Sequence, residues 1–369
     1  VGALAGLHDL GKISPGFQRK CKAWLNENGL AKIATVWLWD SKMESDHGKT
    51  SHAAIQDFLT KTGFSSDSAS CLAAVLGAHH GKVKCLPTPR GISPLFMGQV
   101  TENNSGIRWE EERQRNAEQL WHSLGPENLT FDLSEDSPAI WWIAGLTSVA
   151  DWIGSDERFF LPTGRPVNME LSTLATAALD SVGIRKLDLV EGLSFHDLFR
   201  DRENPENQWN PNDIQEKTFD AVTGPGVYVV EAPMGTGKTE AALWAAYRLL
   251  VSGKANGIYF ALPTQATSNR MHRRMVEFVS RICRGSSPPR LIHGNSWLMD
   301  ETPALSPAFT TAGRSDDDAR VGRDWFASSK HALLAPFGVG TIDQALLGVV
   351  AAKHFFVRHF ALSGKVVIL

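Results

Sequence analysis

Cysteine is scarce in this chain: Cys21, Cys71, Cys85 and Cys283 are its four, with no CxxC pair among them. That excludes a disulfide-stapled scaffold and a zinc knuckle, and it suits free thiols in a reducing compartment. An excess of one charge is lacking too. Lys and Arg total 37 against 40 Asp and Glu, a formal net charge of −3, which excludes a histone-like polycation and leaves nucleic-acid binding to a local basic groove. Long hydrophobic runs are missing. The stretch "PAIWWIAGLTSVA" is too short to span a bilayer, and "ALLAPFGVGTIDQALLGVVAA" is interrupted by Pro336 and Asp343, so no membrane segment is expected and the cytoplasm is the expected compartment. The opening "VGALAGLHDLGK" has no initiator Met, basic leader or cleavage site, and "GKVVIL" ends like a strand cut mid-element. Both ends therefore read as edges of a longer protein. What is present is bulk: 369 residues, 43% hydrophobic, support a sizeable core in two domains or one large one.

Residues 1 to about 165 read as mostly helical, with three- and four-residue apolar spacing in "SHAAIQDFLTKTGF", "SASCLAAVLGAHHGK" and "EEERQRNAEQLWHSLG". Residues 86–106 read as a loop rich in Gly, Pro, Ser and Asn, and "MELSTLATAALDSVG" and "LSFHDLF" as further helices. The polar, proline-bearing run "RDRENPENQWNPND" places a linker at 201–213, dividing a first domain, 1–200, from a second, 214–369. The rhythm then changes. "GVYVVEAP", "ANGIYFALPT", "RLIHGN" and "KVVIL" read as strands alternating with the helices "GTGKTEAALWAAYRLLVSG" and "QATSNRMHRRMVEFVSRIC", which predicts parallel βαβ units. Residues 311–324 read as a surface loop.

"APMGTGKT", residues 232–239, falls between a predicted strand and a predicted helix, the context that gives a phosphate-loop pattern meaning. Gly235 and Gly237, flanking Thr236, let backbone amides curl around an anion at a helix N-terminus. Lys238 is placed to reach the β- and γ-phosphates of ATP and Thr239 to hold Mg²⁺. Ala232 departs from the strict pattern by replacing its first glycine, and the competing reading is a glycine-rich turn that binds nothing. With "YFALPTQATSNRM" and "GVGTIDQALL" following, this segment resembles motifs I, Ia and the GT-containing motif of superfamily 2 helicases. The resemblance implies that Gln215 reads the adenine, and that Thr264, Gln265, Gly340 and Thr341 hold the backbone of one nucleic-acid strand. Arg270, Arg273, Arg274, Arg281 and Arg284 would supply charge, against the plain reading of a solvated helix face. The family's acidic DExH box would be expected beyond Leu369.

The first half carries His8 and Asp9 side by side, then His52, the pair His79 and His80, and Asp151. Their spacing is too long for a zinc finger and suits ligands gathered from several helices. Imidazole with carboxylate suits Fe, Mn, Co, Ni or Zn rather than Ca²⁺. Two bridged ions can generate hydroxide and clamp an in-line phosphoryl displacement, and Lys12, one turn after His8, adds positive charge against a phosphate. His47, His122, His196, His272, His354 and His359 read as ordinary structural or surface histidines, and His293 as structural or part of a helicase groove.

The set HD, H, HH and D resembles the HD phosphohydrolase superfamily. Followed by helicase motifs, it resembles the CRISPR-associated helicase–nuclease of type I systems over essentially the whole chain. The resemblance implies a multi-domain protein: an all-α HD domain followed by an α/β RecA-like P-loop domain, both truncated. It implies a metal-dependent single-strand DNase using two ions (Fe, Mn, Co or Ni), and ATP-fed 3′-to-5′ translocation on DNA. The implied recruiter is the Cascade surveillance complex bound to crRNA and target DNA. Carried over residue by residue, His8, Asp9 and Asp151 would hold one metal, and Asp9, as bridge, would hold the second with His52, His79 and His80. A further histidine of the family falls before Val1, leaving the first ion one ligand short. Two other readings compete: an HD phosphohydrolase of small nucleotides fused to an ATPase, and a catalytically incomplete docking module.

Overall fold

The computed structural model describes residues 1–31, 46–81, 108–125, 132–157, 159–160, 170–182, 184, 186–200, 209–284, 290–292, 332–349 and 354–369. The predicted loops at 86–106 and 311–324, Cys85, His293 and residues 201–208 of the predicted linker lie outside the described residues. No helix among the described residues is long and apolar enough to cross a membrane. The chain forms two units: Val1–Ser155 with Ala351–Phe360, and Asp156–Val350 with Ala361–Leu369.

The first unit is helical. Its longer helices are α1 (His47–Lys61), α2 (Ser66–Gly77), α3 (Trp109–Leu124) and α4 (Pro138–Gly154). Side-chain oxygens of Asp46 and Ser65 cap α1 and α2 by accepting from the Gly48 and Ser68 amides, and Pro138 opens α4 where its missing N–H costs nothing. On α1, Ile55, Phe58 and Leu59 turn one face inward against Leu72 and Leu76 of α2, Ala117 of α3 and Ile143 of α4. Leu4, Leu7 and Leu10 join that core from the N-terminal segment, where a 3-10 turn, Leu7–Lys12, carries the His-Asp pair. Between α1 and α2 the backbones nearly touch: a Cβ on Gly48 would lie 2.5 Å from the Gly77 carbonyl oxygen, and one on Gly77 2.6 Å from that of Gly48. Only glycine permits this approach, and it brings the start of α1 beside the end of α2. Late in the chain, Phe356 and Phe360 pack on Gly145 of α4, while Phe355 lies with its ring 4.9 Å from Trp141.

The second unit is an α/β layer. Its elements are α5 (Leu171–Ser181), α6 (Asp213–Ala221), α7 (Lys238–Val251), β1 (Gly257–Leu262), α8 (Gln265–Ile282), β2 (Arg290–Ile292), β3 (Phe337–Thr341), α9 (Phe355–Leu362, whose first part belongs to the first unit) and β4 (Lys365–Ile368). The four strands are all parallel, in the order β2-β3-β1-β4. Ile258 and Phe260 of β1 and Phe337 and Val339 of β3 pack with Leu243, Ala246 and Leu250 of α7 and Met275, Phe278 and Ile282 of α8. That near-continuous burial is what a covered parallel sheet requires.

Three expectations are corrected here. The first domain does not run to residue 200: Leu187, Leu189, Leu193 and Leu198 pack on the sheet's core. The Tyr247 hydroxyl donates to the Val190 carbonyl at 2.7 Å, and the Arg284 amide to that of Asp188 at 2.9 Å, so burial under α7 and α8 assigns this stretch to the second unit. The second unit likewise does not own everything after residue 214, since Ala351–Phe360 folds with the first. Finally, "GVYVVEAP" is not a strand. Val227 and Val229 are 95% and 82% exposed, and no ladder forms there, because alternation makes a strand only when a neighbour supplies hydrogen bonds. The inner strand β3, by contrast, lies in the segment of the GT-containing motif, which the sequence pattern does not mark as a strand.

Candidate metal centre and nucleotide loop

In the first unit, the 3-10 turn, the start of α1, the residues after α2 and the last turns of α4 bring their polar side chains to one place. His8 Nε2 lies 3.3 Å from Asp9 Oδ2 and 3.3 Å from Asp151 Oδ1. Asp9 Oδ1 faces His47 Nε2 at 3.4 Å and His79 Nε2 at 3.7 Å. His47 Nε2 in turn lies 3.2 Å from His79 Nε2 and 2.9 Å from His80 Nε2. Two ligand groups result, His8–Asp9–His79 and His47–His79–His80, sharing His79. Lys12 donates to Asp9 Oδ2 at 2.6 Å.

The donor set fits metal ions on three observations. First, the Nδ1 atoms of His8 and His79 lie 2.7 and 2.9 Å from the carbonyl oxygens of Ala5 and Leu76, which only accept, so each Nδ1 carries the hydrogen. In His79, neutral at pH 7, this leaves Nε2 with a lone pair aimed inward, the arrangement of metal-ligating histidines, and His8 would reach the same state when an ion displaces its Nε2 proton. Second, three imidazole nitrogens converge within hydrogen-bond distance although at least one has no proton to give. Third, Asp9 Oδ1 is buried and takes part in no hydrogen bond among the described residues. A cation at the centre would satisfy all three.

Without an ion the electrostatics split the histidines, leaving His8 an imidazolium paired with two carboxylates and His47 and His79 neutral. Burial alone would lower the His8 imidazole, but the hydrogen bonds and charges of Asp151 and Asp9 outweigh it and raise it to about 9. Burial would raise the Asp9 and Asp151 carboxyls, yet His8, joined at Asp9 by Lys12, holds both below the ordinary carboxylate range. His47 and His79 are pushed down to about 4, mainly by burial, so both are neutral and available as ligands at pH 7.

One ligand expectation is corrected: His47 belongs to the cluster, and His52 does not. Both lie on α1, but five residues turn a helix by about 140° beyond a full circle, so they face different ways. His52 packs on Gly77, its Nε2 buried without a partner among the described residues, and burial lowers its pKa. Sequence reasoning also missed the supports. The Gly11 amide donates to Ser51 Oγ and Ser14 Oγ donates to the Gly11 carbonyl, each at 2.8 Å. Ser148, one turn before Asp151 on α4, donates to the His79 carbonyl at 2.8 Å, and buried Arg113 reaches the Ile13 carbonyl at 2.8 Å. The signals were available as small residues adjoining ligands: Gly48 after His47, and Gly11 and Ser14 after the His-Asp pair.

In the second unit, Gly235 and Gly237 take φ of +79° and +77°, values that side chains resist, and Gly237 caps α7. The loop bends around a cavity of about 700 Å³ lined by Trp209, Gln215, Met234, Gly235–Thr239, Glu240 and Arg274, among others. Lys238 Nζ donates to the carbonyls of Ala232, at 2.5 Å, and Pro233. Gln215 serves two partners inside the protein: its Oε1 accepts from the Asn212 amide at 2.9 Å, closing a capping box on α6, and its Nε2 donates to the Gly237 carbonyl at 3.2 Å. It holds the loop's last glycine.

Thr264 and the pair Gly340–Thr341 are brought together at the carboxyl ends of adjacent strands, with Ala261 opposite Gly340 and Leu262 opposite Thr341. Ligands of open parallel sheets bind at that edge. Ser268, which the sequence reading passed over, ties them: its hydroxyl lies 2.9 Å from the Thr264 carbonyl oxygen and 3.1 Å from that of Gly340. Gln265 starts α8, and Arg270 and Arg273 are exposed along it. Arg274 instead pairs with Glu240, and Arg281 donates to the carbonyls of Leu198 and Arg200, so these two do not serve an open groove in this structure.

Comparison with known proteins agrees with both halves. Residues 1–160 match the family described as "Cas3, HD domain", and residues 212–297 match "DEAD/DEAH box helicase". The CRISPR-associated endonuclease/helicase Cas3 of Thermus thermophilus is 35% identical, the match covering 100% of this chain and 40% of that protein. The CRISPR-associated nuclease/helicase Cas3 of Streptococcus thermophilus is 28% identical over 99% of this chain and 41% of that one. This chain therefore spans about two fifths of the length of the curated relatives it matches. Among solved structures, T. fusca Cas3 with AMPPNP superposes with a TM-score of 0.70 at 29% identity, covering 99% of this chain and 39% of that one. A CRISPR RNA-guided surveillance complex in a pre-nicking state contains a chain with a TM-score of 0.53 at 25% identity, of which this chain covers 36%. The chain thus pairs a region matching the Cas3 HD domain with a region matching DEAD/DEAH box helicases, in the order found in its Cas3 relatives.

Proposed function

We propose that this chain carries the DNA-cutting centre and the nucleotide-binding half of an ATP-driven helicase, working in type I CRISPR interference. The observation that carries the reading is the convergence of His47, His79 and His80 Nε2 beside the unpartnered Asp9 Oδ1, in a Cas3-type HD domain. His8, Asp9 and Asp151 would hold one ion, and Asp9, His47, His79 and His80 the second. The set suits Fe, Mn, Co or Ni. Two such ions, when bound, polarise a phosphodiester and activate water for in-line attack. The chain's own residues do the rest. The Ala5 and Leu76 carbonyls fix the tautomers of His8 and His79, and the Lys12 ammonium, 2.6 Å from Asp9, offers a positive charge to the phosphate being cut.

In the helicase half, the amides of Gly235–Lys238 wrap the phosphates of ATP, Lys238 exchanges its carbonyl partners for them, and Thr239 holds Mg²⁺. Thr264, Gln265, Arg270, Gly340 and Thr341 hold the backbone of single-stranded DNA, positioning without reading sequence. We place the protein in the cytoplasm, recruited by a Cascade complex carrying crRNA and target DNA. The resemblance to a chain of a surveillance complex supports that partner.

The test is to reconstitute the chain with Mn²⁺, Co²⁺ or Ni²⁺ and incubate it with circular single-stranded DNA without ATP, beside Asp9→Ala. Stoichiometric metal and cutting that the variant loses are expected. A chain that takes up no transition metal and leaves the circle intact overturns the nuclease reading in favour of a docking module.

A further inference from the structure

The cavity beside the phosphate-binding loop has a second wall. Arg274 also lines the cavity, from the middle of α8 rather than from the loop or its helix. Its Nη2 pairs with Glu240 Oε1. Among the described residues lining the cavity, Glu240 is the one carboxylate, and Lys238 and Arg274 are the cations. Glu240 directly follows Thr239, and its side chain is only 18% exposed, so an uncompensated charge there would repel a polyphosphate entering the loop. Arg274 compensates that charge with one edge of its guanidinium. At 43% exposure it keeps the remaining N–H groups of its five-donor fork accessible from the cavity. Planar forks of this kind match phosphate oxygens.

We propose that Arg274 is a phosphate-binding residue of the nucleotide pocket, contacting the β- or γ-phosphate of a nucleoside triphosphate from α8. This rests on the nucleotide-binding reading of the loop. It adds a consequence for that reading: α8 is capped by Thr264, ten residues before Arg274, so one helix carries both the strand-holding end and a phosphate contact about 15 Å apart.

The experiment measures equilibrium binding of ATP, tripolyphosphate and AMP, with Mg²⁺, to the full chain and to Arg274→Gln, Glu240→Gln, the double variant and Lys238→Ala. Arg274→Gln is expected to weaken ATP and tripolyphosphate about tenfold, the value of one charge-assisted contact in a partly solvated site, and to leave AMP unchanged. Arg274→Lys, which keeps the charge and loses the fork, should fall between. The double variant decides the role. If Arg274 touches phosphate, the double variant stays weak. Recovery of wild-type affinity in the double variant would mean that Arg274 only neutralises Glu240, and it overturns the proposal, as does an Arg274→Gln variant that binds tripolyphosphate like wild type. Failure of the underlying reading looks different: the wild type itself binds no tripolyphosphate, and Lys238→Ala changes nothing.

Discussion

Gly11 sits at the tightest contact of the metal centre, and replacing it with alanine tests the whole arrangement. A Cβ built there would lie 2.0 Å from the His47 carbonyl oxygen, 2.6 Å from the Ser51 amide nitrogen and 2.8 Å from Ser51 Oγ. Two of these are backbone atoms of α1, so no rotamer change relieves the clash. Restoring an ordinary 3.4 Å separation requires the 3-10 turn and α1 to part by about 1.4 Å. The turn carries His8 and Asp9, and α1 carries His47, so the 3.4 Å gap between Asp9 Oδ1 and His47 Nε2 opens with it. Metal–ligand distances tolerate roughly 0.2 Å. A displacement several times larger costs about a hundredfold in metal affinity, by analogy with the price of a 1 Å misplacement in a preorganised site. Forcing a methyl into a packed contact also costs about 1–3 kcal/mol of stability. The assay is metal titration by calorimetry, beside thermal melting in EDTA. Gly2→Ala is the control, since its Cβ would meet nothing within 4 Å. A Gly11→Ala chain that melts like wild type and keeps both ions at wild-type affinity would refute the packing argument and the bridging of the two segments through metal.

Three further outcomes are expected. His47→Ala should lose at least one equivalent of metal, read by elemental analysis, while His52→Ala keeps full stoichiometry and loses only stability; the opposite pattern restores the ligand set first expected from the sequence. Because His8 is raised to about 9 from 6.5, its contribution to the stability of the metal-free protein is fully present below pH 6.5 and fades as pH rises through 9. The melting difference between wild type and His8→Gln in EDTA should therefore shrink over that window, and a difference that grows with pH contradicts the assignment. Gly237→Ala places a Cβ 2.2 Å from Gln215 Nε2 at a φ of +77°, so tripolyphosphate binding, followed by calorimetry, should fall at least tenfold; unchanged binding would mean the loop conformation is not the one that holds phosphate.

The residues that announce themselves by type were the legible ones. His8, Asp9, His79, His80 and Asp151 lie in one cluster, and Gly235 and Gly237 take the left-handed conformation that glycine allows. His47 was illegible because two histidines share one helix, and choosing between them needs the angle at which α1 meets α2, which Gly48 and Gly77 set through a contact between residues far apart in sequence. The strands flanked by helices were readable from β-branched runs, yet β3 escaped because Gly338 and Gly340 dilute its pattern. The valines at 227–230 misled because strand character depends on a partner's hydrogen bonds. The boundary near 155 was invisible for a related reason: the leucines at 187–198 look like the tail of a helical domain until the sheet they cover is known.

The return of Ala351–Phe360 to the helical unit makes that unit discontinuous in sequence. The segment's aromatic side chains complete the helical unit at Gly145, Trp141 and Trp142, although more than 190 residues separate them from the end of that unit's first segment at Ser155. The helical unit is thus not encoded as one uninterrupted stretch of gene. A recombination that exchanged residues 1–155 alone would bring a helix whose aromatic face has lost the Phe355 and Phe360 rings that cover it.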